Sequence, residues 1–195
     1  NHISSFCDSV DLISVLGSSD SQGDFVRGSL NENIRPKFFY MDKSPTIVKR
    51  RYIEKYPFQK MFEVYQMGED CELSEQFYST LTDNLYKYDL VIVADYGHGM
   101  IDARTVKMLC ANAKCLAVNT QSNAGNQGYN TVSKYPRADF ICVSENEIRL
   151  ETRQKHGDLK QIVENVAQKH SCEKVLVTCG ERGSLCYSKQ EGFAE

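Results

Sequence analysis

Asp89-Leu90-Val91-Ile92-Val93-Ala94-Asp95, followed at once by Tyr96-Gly97-His98-Gly99, decides how the rest of the chain is read. The apolar run between the two aspartates is too short for a helix and rich in β-branched side chains, so it reads as a strand. A strand without polar alternation is expected to be buried on both faces, as in a parallel sheet with helices on each side. That places residues 89–94 at the centre of a sheet.

Working outward, the same alternation repeats. Leu73, Phe77, Leu81 and Leu85 recur at four-residue steps, which predicts a helix over 73–86. A second helix is expected over 101–113, capped by Asp102. Cys115-Leu116-Ala117-Val118 is the next strand, and a polar loop runs from Asn119 to Asn130. Residues 139–143 and 174–178 read as further strands, 159–169 as a helix, and 183–187 as a segment pairing near the last strand. This βαβα rhythm implies an α/β fold with a mostly parallel sheet and right-handed crossovers. Toward the N-terminus, residues 1–6 read as the tail of a helix, Val10–Leu16 as a strand closed by Gly17, and 21–30 as a surface helix. The texture then changes. Phe38–Met41, Thr46–Ile53 and Lys60–Tyr65 are aromatic and β-branched, with Pro45 and Pro57 in the joints. Three strands in succession without a helix are expected to form a small antiparallel piece.

Composition narrows the classes. A chain of 195 residues with 41% apolar and 25% charged residues suits one globular domain and not a disordered segment. No apolar run reaches the length of a membrane span, and no signal peptide is apparent. A net charge of −3 argues against a nucleic-acid binder. The eight cysteines include no CxxC pair and no zinc-type spacing with the histidines, so Cys7, Cys71, Cys110, Cys115, Cys142, Cys172, Cys179 and Cys186 read as free thiols. With no Asn-x-Ser/Thr acceptor either, the expected compartment is the cytoplasm.

In open α/β sheets ligands bind beyond the carboxyl ends of the strands, and that rule picks the candidate residues. Asp95 ends a strand and opens a glycine-bearing turn. It could hold a sugar hydroxyl or simply satisfy backbone donors of the turn. Asn119-Thr120-Gln121 offers neutral donors and acceptors, or ordinary turn chemistry. Ser144-Glu145-Asn146-Glu147 could order Mg²⁺ through water, or be an acidic helix start capped by Ser144. Thr178-Cys179-Gly180-Glu181-Arg182-Gly183 could let a nucleotide lie against backbone, or be a tight hairpin. Along a strand, Lys49 and Arg51 share a face opposite Arg50. Two cations on one face can hold a phosphorylated substrate, or merely protect an edge strand. No Walker A sequence occurs, and a dinucleotide fingerprint would need glycine where Asp102 stands.

Taken together, these segments resemble the ribokinase-like, PfkB-type carbohydrate kinases, and within them the bacterial heptose-phosphate kinases of ADP-heptose synthesis. The resemblance rests on Val15-Leu16-Gly17 with Asp20 and Gly23, on Pro45-Thr46-Ile47-Val48-Lys49-Arg50-Arg51, on Ala94-Asp95-Tyr96-Gly97-His98-Gly99, and on Val177-Thr178-Cys179-Gly180-Glu181-Arg182-Gly183. It implies a Rossmann-like sandwich over 1–195 with a small β lid at about 36–68 that pairs into a homodimer. It also implies ATP-dependent phosphorylation of a sugar hydroxyl, with Mg²⁺ as the ion. Lys49, Arg51 and Asp95 would bind a sugar phosphate. Asn119, Asn146, Thr178, Gly180 and Gly183 would border ATP. A fused nucleotidyltransferase domain would be compatible.

The departures from that pattern set a second reading. The family's Gly-Ala-Gly-Asp base motif does not occur, no catalytic residue is assigned, and the chain reads as an internal fragment that is inactive by itself. The Asn-x-x-Glu that organises Mg²⁺ in the family would put glutamate at Arg149. Asn119-Thr120-Gln121 stands where the heptose kinases carry Asp-Pro-Lys, and His98 replaces a lysine. The alternative is a non-catalytic sugar- or nucleotide-binding or dimerisation module built on the same fold.

Overall fold

The computed structural model describes residues 1–68, 72–126 and 128–195; Cys71 and Gln127 lie outside them. The chain divides into two compact units, Asn1–Phe77 and Tyr78–Glu195.

In the first unit, strand β1 (Val10–Gly17), helix α1 (Gly23–Gly28) and strand β2 (Ile34–Met41) form a βαβ unit. The two strands pair in parallel, Val10 opposite Ile34 and Gly17 opposite Met41. Phe38–Met41 is therefore no part of an antiparallel piece, as its composition led us to expect. Aromatic and β-branched content marks a strand but carries no information about its partner. The antiparallel piece is a two-stranded ribbon, β3 (Val48–Glu54) with β4 (Gln59–Gln66). The N-terminal residues form a 3-10 turn at Ile3–Ser5, shorter than the helix tail expected there.

Helix α2 (Glu75–Asn84) leads into the second unit. There, β5 (Val91–Asp95), α3 (Ala103–Asn112), β6 (Leu116–Thr120), β7 (Phe140–Ser144), α4 (Glu145–Thr152), α5 (Leu159–Lys169), β8 (Lys174–Thr178), β9 (Ser184–Ser188) and β10 (Gly192–Ala194) follow in chain order. They build a six-stranded sheet in the order β10-β9-β8-β7-β6-β5. β5 to β8 are parallel, and β9 and β10 turn back antiparallel.

The core follows from the sequence periods. Val118, Ile141, Val143, Val175 and Val177 point inward from the strands. Ile162, Val163, Val166 and Ala167 form the buried stripe of α5. Each such valine or isoleucine side chain contributes about 1.5–3 kcal/mol by leaving water. Asp102 caps α3 as expected, its carboxylate accepting from the Thr105 N–H at 2.7 Å. Strand β5 departs from expectation. It ends the sheet of its unit instead of lying at its centre, and Ile92 remains 45% exposed. Among the described residues of this unit only β6 pairs with it, so its apolar run exceeds what the burial there requires. No helix among the described residues is long and apolar enough to cross a membrane.

Candidate functional site

In the first unit, the site begins where β1 ends. Thr46 locks the following Pro45-Thr46 turn in place. Its hydroxyl accepts from the Gly17 N–H at 2.9 Å and donates to the Ser21 carbonyl at 2.6 Å. Its N–H reaches the Asp20 carbonyl at 2.9 Å. Residue 17 has to be glycine. A Cβ there would stand 2.1–2.3 Å from backbone atoms of Ser44, Pro45 and Thr46.

The ribbon that follows puts Lys49 and Arg51 on one face, as strand alternation requires. Both meet Glu63, opposite Arg51 on β4, at 3.4 and 3.2 Å, and Lys60 meets it at 3.5 Å. Lys49 also lies 4.7 Å over the Tyr65 ring, and the hydrogen bond with Tyr65 raises its pKa. Three cations thus face one carboxylate, which leaves an excess of positive charge for a phosphate.

In the second unit, the register aligns Asp95 with Thr120 and Ser144 with Thr178 at the carboxyl ends of their strands. Asp95 is 2% exposed, yet its carboxylate is fully engaged. Oδ1 accepts from the Gly97 N–H at 3.0 Å. Oδ2 accepts from the Tyr135 hydroxyl at 2.6 Å and pairs with Lys134 Nζ at 2.5 Å. The Asp95 carbonyl accepts from Asn130 Nδ2 at 2.8 Å. Burial first, and then the Asp95 charge, push the Tyr135 hydroxyl far above its ordinary pKa, so it remains a donor. Asn130, Lys134 and Tyr135 are residues that the sequence reading missed. They lie in an aperiodic stretch after a polar loop, where no pattern marks a buried hydroxyl or amide.

Asn119 does not open toward that pocket of charge. Its Nδ2 donates to the Cys142 carbonyl at 2.7 Å and ties β6 to β7. Its amide donors therefore serve the sheet.

The ends of β7 and β8 bring Asn146, Thr178, Gly180 and Gly183 into one region. Ser144 caps α4 in a capping box with Glu147. Glu147 accepts from the Ser144 N–H at 2.7 Å and the Ser122 N–H at 3.0 Å. Asn146 and Thr178 are exposed. The turn 178–183 is closed by the Cys179 N–H on the Gly183 carbonyl at 2.8 Å. Gly180 (φ 62°) and Gly183 (φ 85°) take left-handed conformations, and nothing lies within 4 Å of where a Cβ would project. An extended ligand can therefore approach this backbone. Arg182, from the same turn, reaches across and pairs with Glu145. Glu145 also pairs with Arg149, at 2.9 Å. Hydrogen bonding from Arg149 holds its carboxyl below the usual range, and Arg182 adds to this.

These contacts test the implied ligands. The open glycine turn, the exposed Thr178 and the forked cation of Arg182 suit a nucleotide polyphosphate. Of the acidic side chains in this region, Glu145 is held by two arginines and Glu147 by two backbone N–H groups, while Glu181 of the turn is exposed. Among the described residues no group of three or more His, Cys, Asp or Glu side chains could hold a metal ion.

Comparison with known proteins gives the family and the fold. A family model described as pfkB family carbohydrate kinase matches residues 2–195. Ribokinase from Giardia lamblia superposes with a TM-score of 0.76 at 20% identity, over 97% of this chain and 63% of its own. Phosphofructokinase-2 from Escherichia coli, in complex with substrates and products, gives 0.70 at 11% identity, over 96% and 61%. Ribokinase from Arabidopsis thaliana, complexed with ribose and ATP, gives 0.62 at 14%, over 96% and 60%. The chain thus spans 60–63% of the length of these three structures. No curated protein sequence matches it.

Proposed function

The chain belongs to the pfkB family of carbohydrate kinases, and from that premise we propose that it is the sugar- and nucleotide-binding part of an ATP-dependent kinase acting on a hydroxyl of a phosphorylated sugar, a heptose phosphate being the candidate. The observation that carries the choice of a phosphorylated sugar is the ribbon face, where Lys49, Arg51 and Lys60 outnumber Glu63. A neutral sugar needs no such excess of charge; a sugar phosphate is held by it.

Each residue then has a task. Lys49 and Arg51 hold the substrate's phosphate. Asp95, fixed by Tyr135, Lys134 and the Gly97 N–H, keeps the Tyr96-Gly97-His98 turn in one conformation beside the sugar. Thr178, Gly180 and Gly183 border ATP, with Asn146 on the exposed first turn of α4 and Asn119 tying β6 to β7 beneath. ATP supplies the phosphoryl group. No step is assigned to Mg²⁺. Tyr52, Ile53 and Phe62, all more than 40% exposed on the ribbon, are the side chains we assign to a lid that pairs with a second copy, its antiparallel part being Val48–Gln66 and not the whole of 36–68. The seven described cysteines are free thiols, which suits the reducing cytoplasm we propose.

A second reading, a non-catalytic binding module, is favoured by one observation. Arg149 stands where the resemblance calls for glutamate, and it is locked onto Glu145.

The test is ADP release by the full-length protein with ATP, Mg²⁺ and a panel of free and phosphorylated sugars. Turnover confined to phosphorylated sugars, with KM raised about tenfold in Lys49→Met/Arg51→Met and the KM for ATP unchanged, supports the proposal. Binding of ATP and sugar phosphate by calorimetry without ADP release supports the second reading and overturns the first.

A further inference from the structure

Behind the residues that hold Asp95 stands a second buried carboxylate, Glu151. The inference drawn from it rests on the proposed placement of the Tyr96-Gly97-His98 turn beside the sugar. Lys134 and Tyr135, which both meet Asp95 Oδ2, come from the 3-10 turn Val132–Lys134 and the residue after it. Hydrogen-bond geometry in such a short turn is poor, so the turn does not fix two side chains by itself. Glu151, in the last turn of α4, grips it from behind. Its carboxylate accepts from the Ser133 N–H at 3.1 Å and from the Ser133 hydroxyl, and it pairs with Lys169 at 2.7 Å. Lys169 also donates to the Ser133 hydroxyl at 3.1 Å. His170 joins the two ends of the segment. Its Nδ1 donates to the Tyr135 carbonyl at 2.9 Å, since a carbonyl only accepts, and its Nε2 lies 3.8 Å from Glu151.

We infer that Glu151 is a positioning residue for the sugar site: it holds the segment 131–135 so that Lys134 and Tyr135 reach Asp95 and keep the Gly97 turn in its binding conformation. The place is a costly one for a carboxylate. Its side chain is 2% exposed, and the C-terminal turn of a helix is the end that disfavours negative charge. Packing alone would be served by an aliphatic side chain. What the carboxylate adds is an acceptor for the N–H and hydroxyl of Ser133 together, with Lys169 as counter-ion. The path from Glu151 through Ser133, Lys134 and Tyr135 to Asp95 and the Gly97 N–H lies wholly within the second unit.

The experiment uses the full-length protein and its Glu151→Gln, Ser133→Ala and Tyr135→Phe variants. Hydrogen exchange at the Gly97 amide, read by NMR, reports on the turn. Calorimetry with a heptose phosphate and with ATP reports on the two ligands. Glu151→Gln is expected to speed exchange at Gly97 and to weaken heptose phosphate binding about fivefold, with ATP affinity unchanged within about twofold. The double variant Glu151→Gln/Tyr135→Phe should bind the sugar phosphate no more weakly than the weaker single variant, because both act through Asp95. Ser133→Ala, at an exposed position, keeps the fold and should move the same readouts in the same direction by less. Val163→Ala, a truncation in the buried stripe of α5, controls for lost stability and should leave both affinities where they were. Exchange at Gly97 that Glu151→Gln leaves unchanged overturns the inference alone, as do additive losses in the double variant or an equal loss in Val163→Ala. Faster exchange at Gly97 with sugar phosphate binding unaltered, or no such binding by the parent, overturns the placement of the sugar at this turn and the inference with it.

Discussion

Replacing Tyr135 by phenylalanine removes one oxygen and tests the idea that Asp95 is held from within its own unit. The Tyr135 ring is fully buried, so the substitution keeps the packing and deletes only the hydroxyl. That hydroxyl donates at 2.6 Å to Oδ2 of a carboxylate that is 2% exposed and beyond the reach of bulk water. A hydrogen bond to a charged, buried acceptor contributes about 1.5–3 kcal/mol. Lys134 at 2.5 Å stays on the same oxygen, so the lower part of that range, about 2 kcal/mol, is expected. For a chain of this length that is a fall in melting temperature of about 4–8 °C. The tyrosine pKa is raised by burial and by Asp95, so its contribution is complete below the unfolded value near 10 and is lost progressively as pH rises from there toward the still higher folded value. The loss should therefore be constant from pH 6 to pH 9. The assay is urea unfolding of the parent, Tyr135→Phe, Asp95→Asn and the double variant. A coupling of at least about 1 kcal/mol between the two sites is expected. A Tyr135→Phe midpoint equal to that of the parent, or a null coupling, would refute the account of Asp95 given above.

Three further outcomes follow from the same contacts. Burial disfavours ionisation of Glu151, but His170, Lys169 and Ser133 outweigh it and hold the carboxyl far below the usual range. Its stabilisation is thus present above the unfolded pKa near 4.3 and drains away as pH falls below it. Urea midpoints should drop between pH 5 and pH 3, and Glu151→Gln should flatten that slope. Gly183→Ala places a side chain at φ 85°, ψ −134°, with open space around it, so its cost is backbone strain alone, about 1–3 kcal/mol by chemical denaturation. Gly17→Ala drives a Cβ into the 44–46 backbone and should lower stability by about 3 kcal/mol or abolish soluble expression.

What the sequence announced and what it hid divide along one physical line. Elements fixed by local period or capping were legible. α3 with Asp102 at its cap, α5 with its apolar stripe, α4 started by Ser144, and β8 followed by a returning β9 all occur where the residues place them. The face shared by Lys49 and Arg51 was legible too, because alternation on a strand is itself a local rule. Partner choice was not. Phe38–Met41 looks the same to a neighbour of either direction, yet it pairs in parallel with β1. Residues 89–94 carry an apolar run that says they form a strand but not where it lies in the sheet of its unit. The site was hidden for the same reason. Asp95 meets Tyr135 at a separation of 40 residues, and Arg182 meets Glu145 at 37. Such long-range polar pairs leave no period behind.

Those pairs also bear on the choice between a kinase and a binding module. A catalytic site needs groups whose charge is free to change or to meet the reacting atoms. In the second unit Asp95 and Glu145, two of the acidic positions that sequence motifs single out, are instead saturated. Asp95 has three donors, and Glu145 has two arginines. In that state they position backbone and neutralise charge. The groups left able to act on ligands include the excess charge on the ribbon, Arg182, the exposed Glu181 and the turn at Gly180 and Gly183. Under the proposed function these groups are the ones that meet phosphate. If the full-length protein phosphorylates a sugar, the proton acceptor for the attacking hydroxyl therefore lies outside Asp95 and Glu145. Asp95→Asn should then lower stability while leaving the acidic limb of the pH–rate profile where it was, and displacement of that limb would make Asp95 the base after all.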